Sequence, residues 1–152
     1  MSETRRSGTP PPTIVIDASL AMRTLGAGSG HALVWLAEQR RAKAVIAAPD
    51  LWLAEIVSAV RNLVFAELLT QSEGTEALDS LFALGVEIVP STPERCHRAF
   101  EWAGRLRQAK AYDGFYLATA EERQAEFWTA DLRLANRARQ VGAAWAHCLS
   151  DG

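Results

Sequence analysis

The sequence predicts an α/β sandwich built on a mainly parallel sheet, and three observations carry that reading. Short apolar runs, several rich in β-branched residues, recur at 13–16, 44–48, 86–89, 126–130 and 143–149. Segments with helical hydrophobic spacing separate them, and parallel strands require helical crossovers of this kind. The chain has 152 residues, enough for one domain that buries about two-thirds of the surface its unfolded form exposes.

Residues 1–12 are polar and end in Pro10-Pro11-Pro12, so they are expected to form a disordered leader outside a single domain spanning 13–150. Thr13-Ile14-Val15-Ile16 is a strand buried on both faces, and Asp17 lies at its carboxyl end. A short helix over 20–25 follows. The glycine-rich segment 26–30 is a connector, since it follows a helix and lacks the Lys-Ser/Thr ending of a phosphate loop. A second helix covers 31–41 and a second strand 44–48.

Pro49 and Asp50 signal a helix start. Apolar spacing through Leu53, Ile56, Val57, Val60, Leu63, Val64 and Leu68 then extends one long helix to about Thr70. The helix over 72–84 stops at Gly85, and the strand 86–89 is closed by Pro90. Thr92 and Pro93 open the next helix as cap and first helical residue, and it runs to about Gln108. A helix over 111–122, a strand over 126–130, a helix over 131–141 ending at Gly142, and a strand over 143–149 complete the chain.

The formal net charge of -2 argues against a polybasic nucleic-acid binder that draws its affinity from phosphate neutralisation. A local basic patch remains compatible with it, from Arg105, Arg107 and Lys110 or from Arg133, Arg137 and Arg139. Cys96 and Cys148 lack the clustered spacing of a structural zinc site. No apolar run reaches the roughly 18 residues of a membrane span, and the amino-terminal segment lacks the apolar stretch of a signal peptide. A cytoplasmic protein without a membrane partner is expected.

Four acids stand apart. Asp17 and Asp131 follow strands, and in open parallel sheets ligand sites form at the carboxyl ends of strands; taken singly, each is better read as a cap on the helix after it. Glu55 and Asp113 fall inside helices on otherwise apolar stripes. Asp113 shares its stripe with Tyr116, Leu117 and Ala120, and Glu55 lines up with Leu51, Trp52, Ser58 and Ala59. An unpaired buried carboxylate is costly, and no Lys or Arg sits at helical spacing to pair with either. Shared protons, long-range salt bridges or a divalent cation would each hold such acids together. The cation is the commonest solution for three or four acids, and hard oxygen ligands suit Mg²⁺ or Mn²⁺.

Four stretches carry a resemblance. They are Ile14-Val15-Ile16-Asp17-Ala18-Ser19, Ala48-Pro49-Asp50-Leu51-Trp52-Leu53-Ala54-Glu55, Tyr112-Asp113-Gly114-Phe115-Tyr116-Leu117-Ala118 and Trp128-Thr129-Ala130-Asp131. In order and spacing the chain is similar to the PIN-domain family, in particular the VapC-type toxins of toxin–antitoxin pairs.

The resemblance implies a three-layer α/β/α sandwich in which Asp17, Glu55, Asp113 and Asp131 line an acidic pocket for Mg²⁺ or Mn²⁺. It implies that Asp17, Asp113 and Asp131 bind the metal directly or through water, with Glu55 completing the set or orienting the attacking water. Ser19 and Thr129 would support them with hydroxyl hydrogen bonds. The implied activity is endonucleolytic hydrolysis of RNA by a metal-activated water. The implied partners are a small cognate antitoxin and a second copy of the chain, joined through the apolar helices around 52–69 and 72–84. A structure-specific DNA nuclease and a catalytically idle binding module are the competing readings. Two positions depart from the family pattern. Ser58 stands where Asn is common, and Gly114 stands where Ala is common, at a helix cost of about 1 kcal/mol.

Overall fold

The computed structural model describes residues 10–150. Residues 1–9 of the expected leader lie outside the described residues, and Pro10 to Pro12 lead directly into the first strand. The element order is β1 (Thr13–Ile16), α1 (Ala18–Met22), α2 (Gly30–Arg41), β2 (Val45–Pro49), α3 (Leu51–Phe65), α4 (Gln71–Phe82) and β3 (Glu87–Val89). It continues with α5 (Pro93–Leu106), α6 (Tyr112–Glu122), β4 (Glu126–Thr129), α7 (Leu132–Gln140) and β5 (Ala146–Cys148).

The five strands form one sheet in the order β3-β2-β1-β4-β5, and every neighbouring pair is parallel. β1 is central, with Val15 opposite both Ala47 and Phe127. Alternate residues of a strand face opposite sides of the sheet, which defines the layers. On one side Phe127 packs against Tyr116 of α6, with ring centroids 5.9 Å apart. On the other Trp128 packs against Trp35 of α2 at 5.1 Å. The result is the expected three-layer α/β/α sandwich. Its core is aliphatic and aromatic, with Val15, Ile16, Leu20, Ile56, Leu117 and Phe127 fully buried. Trp35, Trp52 and Trp102 join that core. Among the described residues no helix is long and apolar enough to cross a membrane.

The chain winds outward from β1 through β2 to β3, then returns to place β4 on the other side of β1. That reversal is a topological switch point, where a crevice opens at the carboxyl ends of the central strands. Asp17 and Asp131 leave the sheet there.

Several element ends differ from expectation for local reasons. α3 stops at Phe65 rather than near Thr70, because Glu67 turns left-handed at φ 60°. Its N–H and that of Leu68 then close onto the carbonyls of Val64 and Leu63, the paired bonds of a Schellman end. Thr70 belongs to the next helix as its N-cap, in a capping box with Glu73. Asp50 does not cap α3 with its side chain. Its carboxylate instead accepts from the backbone N–H and hydroxyl of Ser91, tying the loop after β2 to the loop after β3, and those bonds hold it below the usual carboxylate range. β5 is three residues long rather than seven.

Candidate functional site

Asp17 is 6% exposed and is held by three hydrogen bonds. Oδ1 accepts from the Ser19 hydroxyl at 2.7 Å and from the Leu20 N–H at 3.0 Å. Oδ2 accepts from the Thr129 hydroxyl at 2.5 Å. The Leu20 bond is also the N-cap of α1, so Asp17 caps the helix that follows its strand. A carboxylate offers about four acceptor positions; the open one is on Oδ2.

Ser19 and Thr129 each spend their only hydroxyl proton on Asp17. Their oxygens in turn accept from the backbone N–H groups of Ala130 and Asp131. This lattice stitches the carboxyl end of β1 to that of β4 and orients Asp17.

Asp131 is exposed and caps α7 by accepting from the Leu134 N–H at 3.2 Å. Asp113 sits half-buried in the first turn of α6, where its Oδ2 accepts from the Gln108 side-chain amide at 2.7 Å. Glu55, in the second turn of α3, is half-buried beside the buried stripe of Trp52, Ile56 and Val60 rather than within it. Its Oε1 accepts from the hydroxyl of Tyr116 at 2.7 Å. Gln108 and Tyr116 are site residues that the sequence reading placed only as a helix end and a stripe position.

The acids share one electrostatic field. Burial pushes the Asp17 carboxyl up to about 6, against its three hydrogen bonds, and the charge on Asp113 adds to the rise. Burial also raises Glu55, again with a contribution from Asp113. Asp113 itself is raised by burial and then by Asp131, so it is the acid through which the other three are coupled. Among the described residues no Lys or Arg forms an ion pair with any of the four.

Two cavities flank Glu55. One of about 400 Å³ is lined by Glu55, Gln108, Lys110, Tyr112 and Asp113. Of the basic residues anticipated near the site, only Lys110 lines it. Arg105 lies over the Trp102 ring at 4.7 Å, while Arg137 and Arg139 donate to the carbonyl of Leu106 and the side chain of Asn136. The other cavity, about 540 Å³, runs between α1 and α3.

Among the described residues no three His, Cys, Asp or Glu side chains stand together as a ready ligand cage. The donor set nevertheless fits a hard cation of the Mg²⁺ or Mn²⁺ type. Such ions keep several waters and take one or two carboxylates plus substrate phosphate rather than an all-protein cage. Mutually repelling oxygen donors with no ion-pair partner among the described residues supply that arrangement.

A family profile described as the PIN domain matches residues 14–140. Ribonuclease VapC9 of Mycobacterium tuberculosis is 33% identical over 124 residues, covering 81% of this chain and 89% of the relative. Among solved structures, PAE2754 from Pyrobaculum aerophilum superposes with a TM-score of 0.68 at 16% identity, covering 97% of this chain and 91% of that one. VapBC2 from Rickettsia felis, bound to a DNA fragment from its promoter, gives 0.68 at 12% identity over 90% of this chain and 98% of that one.

Proposed function

The chain belongs to the PIN-domain family, and from that premise we propose that it is a divalent-cation-dependent endoribonuclease, the toxin of a toxin–antitoxin pair. The observation that carries the reading is the coupling of Asp17, Glu55, Asp113 and Asp131 near the switch point, with no ion-pair partner among the described residues. The relative named as a ribonuclease supports RNA as the substrate class. The VapBC2 likeness supports a protein partner of the antitoxin kind.

Asp17, Asp113 and Asp131 would hold Mg²⁺ or Mn²⁺, with Glu55 beside them. When bound, the cation supplies a low-pKa water and charge stabilisation at the phosphoryl oxygens. The chain's own residues do the rest. Thr129 and Ser19 fix the Asp17 carboxylate, Gln108 fixes Asp113, and Lys110 offers a positive charge to the phosphate backbone. Tyr116 holds Glu55 toward the cavity, placed to orient a water by accepting its proton.

The direct test is cleavage of single-stranded and structured RNA by purified protein with Mn²⁺, with EDTA and Asp17→Asn as controls. Cleavage that survives both controls would sink the metal mechanism. Thr129→Val keeps the core volume but removes the hydroxyl that orients Asp17. It is expected to lower the cleavage rate about 10- to 100-fold, whereas Thr129→Ser retains most activity.

The pH dependence follows from the raised carboxyls. For Asp17 the folded value of about 6 exceeds the ordinary 3.8, so between the two the folded state binds more protons. Stability of the metal-free chain is therefore expected to fall as pH rises from about 4 to about 6, and to stay lower above. Glu55 and Asp113 act in the same direction. Added Mg²⁺ or Mn²⁺ needs the ionised acids, so thermal unfolding is expected to show a larger metal-induced rise at pH 7.5 than at pH 5. Equal rises at both pH values would count against these acids as ligands.

The homodimer reading draws on an apolar surface of α3, its following turn and α4. There Phe65 is 80%, Leu68 70% and Phe82 51% exposed.

A further inference from the structure

Resting on the ribonuclease reading, we propose that the groove between α1 and α3 seats one nucleobase of the RNA strand beside the cleaved bond. In this arrangement the base stacks on Tyr112 and is read by Asn62 and Ser58. The groove measures about 540 Å³, and it shares Glu55 and Tyr112 with the cavity that holds Asp113 and Lys110. A strand whose phosphate lies at the acids therefore meets this groove as the next space along its path.

Glu55, Ser58, Ala59 and Asn62 lie at i, i+3, i+4 and i+7 on α3, so they share one face. That face carries the acid at one end and an amide about 10 Å further along the helix axis. The walls between are apolar and mostly small, formed by Ala18, Met22, Ala54 and Ala59. Such a slot accepts a flat ring and leaves recognition to a few polar groups.

Among the described residues, the side chains of Ser58 and Asn62 have no hydrogen-bond partner of their own. A side-chain amide can pair with the donor and acceptor edge of a base such as adenine. Tyr112 keeps 56% of its surface exposed at the boundary of the two cavities. Unpaired RNA is recognised by this combination of aromatic stacking and edge hydrogen bonding.

The test is cleavage-site sequencing on a randomised single-stranded RNA pool with Mn²⁺, joined to steady-state kinetics on one cleaved oligonucleotide. Asn62→Ala is expected to flatten the base preference at one position next to the cut and leave the other positions unchanged. Tyr112→Ala is expected to raise KM about five- to a hundredfold, the range of one lost stacking contact, with kcat little altered, and Tyr112→Phe to restore it. Both residues are exposed, and thermal unfolding of the variants verifies that the fold is kept. Unchanged preference at every position in Asn62→Ala, with unchanged KM in Tyr112→Ala, overturns the proposal and is what a groove reserved for a protein segment would give. A wild-type chain that cuts no RNA overturns the ribonuclease reading itself, and this inference with it, a result read before any variant is compared.

Discussion

Asp113→Asn is expected to reduce RNA cleavage on the order of a thousandfold and, in the same molecule, to make the metal-free protein more stable at neutral pH. The two effects have one cause. Asparagine keeps the shape of the side chain and an oxygen for the Gln108 amide, so packing in the first turn of α6 is preserved. What is lost is the charge that helps raise both Asp17 and Glu55 and that Asp131 itself raises. At neutral pH the ionised Asp113 repels the carboxylates of Asp17 and Glu55, and the substitution relieves that repulsion. For a chain of this size each kcal/mol relieved shifts the melting temperature by about 2 to 4 °C. Cleavage with Mn²⁺ and thermal unfolding in EDTA read the two halves separately. If the variant melts lower than the wild type and its activity falls only in proportion, Asp113 serves the fold as a partner for Gln108 and not the site.

The strands were legible because a parallel sheet covered on both faces demands continuous apolar runs, and Thr13 to Ile16 has no other use for its side chains. The start of α5 was legible because Thr92 and Pro93 act locally, through an N–H that needs an acceptor and a φ that proline presets. The end of α3 was not. Its left-handed residue is Glu67, and Lys43, Arg107 and Gln124 occupy the same kind of position after α2, α5 and α6. A side chain there costs about 1 to 2 kcal/mol, which the closing backbone bonds and the packing beyond them offset, so no glycine marks the stop.

The site divides the same way. Asp17 and Asp131 follow from strand ends, and Asp113 and Glu55 from acids misplaced on apolar faces. Their partners do not follow, because Tyr116 meets Glu55 across 61 residues of sequence, and helical spacing reports only neighbours on one element. Asp50 marks the start of α3 as expected, but the partner of its side chain does not follow either, because Ser91 stands on a different loop.

Gly114→Ala is expected to destabilise the protein by about 3 kcal/mol, the reverse of what helix propensity alone predicts. Alanine is worth about 1 kcal/mol more than glycine inside a helix, and Gly114 lies in α6 at an ordinary helical position, so on local grounds the substitution should help. The neighbouring helix decides otherwise. A β-carbon at Gly114 would stand 2.2 Å from the carbonyl oxygen of Ala99 and 3.3 Å from the nitrogen of Ala103, both backbone atoms of α5. Backbone cannot rotate away as a flexible side chain can, so α5 and α6 must separate.

Because α6 carries Asp113 and Tyr116 on either side of this contact, separation moves one acid and the partner of another. Cleavage is therefore expected to fall even at temperatures where Gly114→Ala remains folded. Thermal unfolding and cleavage at 20 °C check the two effects. The control is Gly104→Ala on the exposed side of α5, where an added β-carbon meets nothing within 4 Å and the propensity gain should appear undiminished. Were Gly114→Ala as stable and as active as the wild type, the close approach of α5 to α6 would not be what sets the position of Asp113.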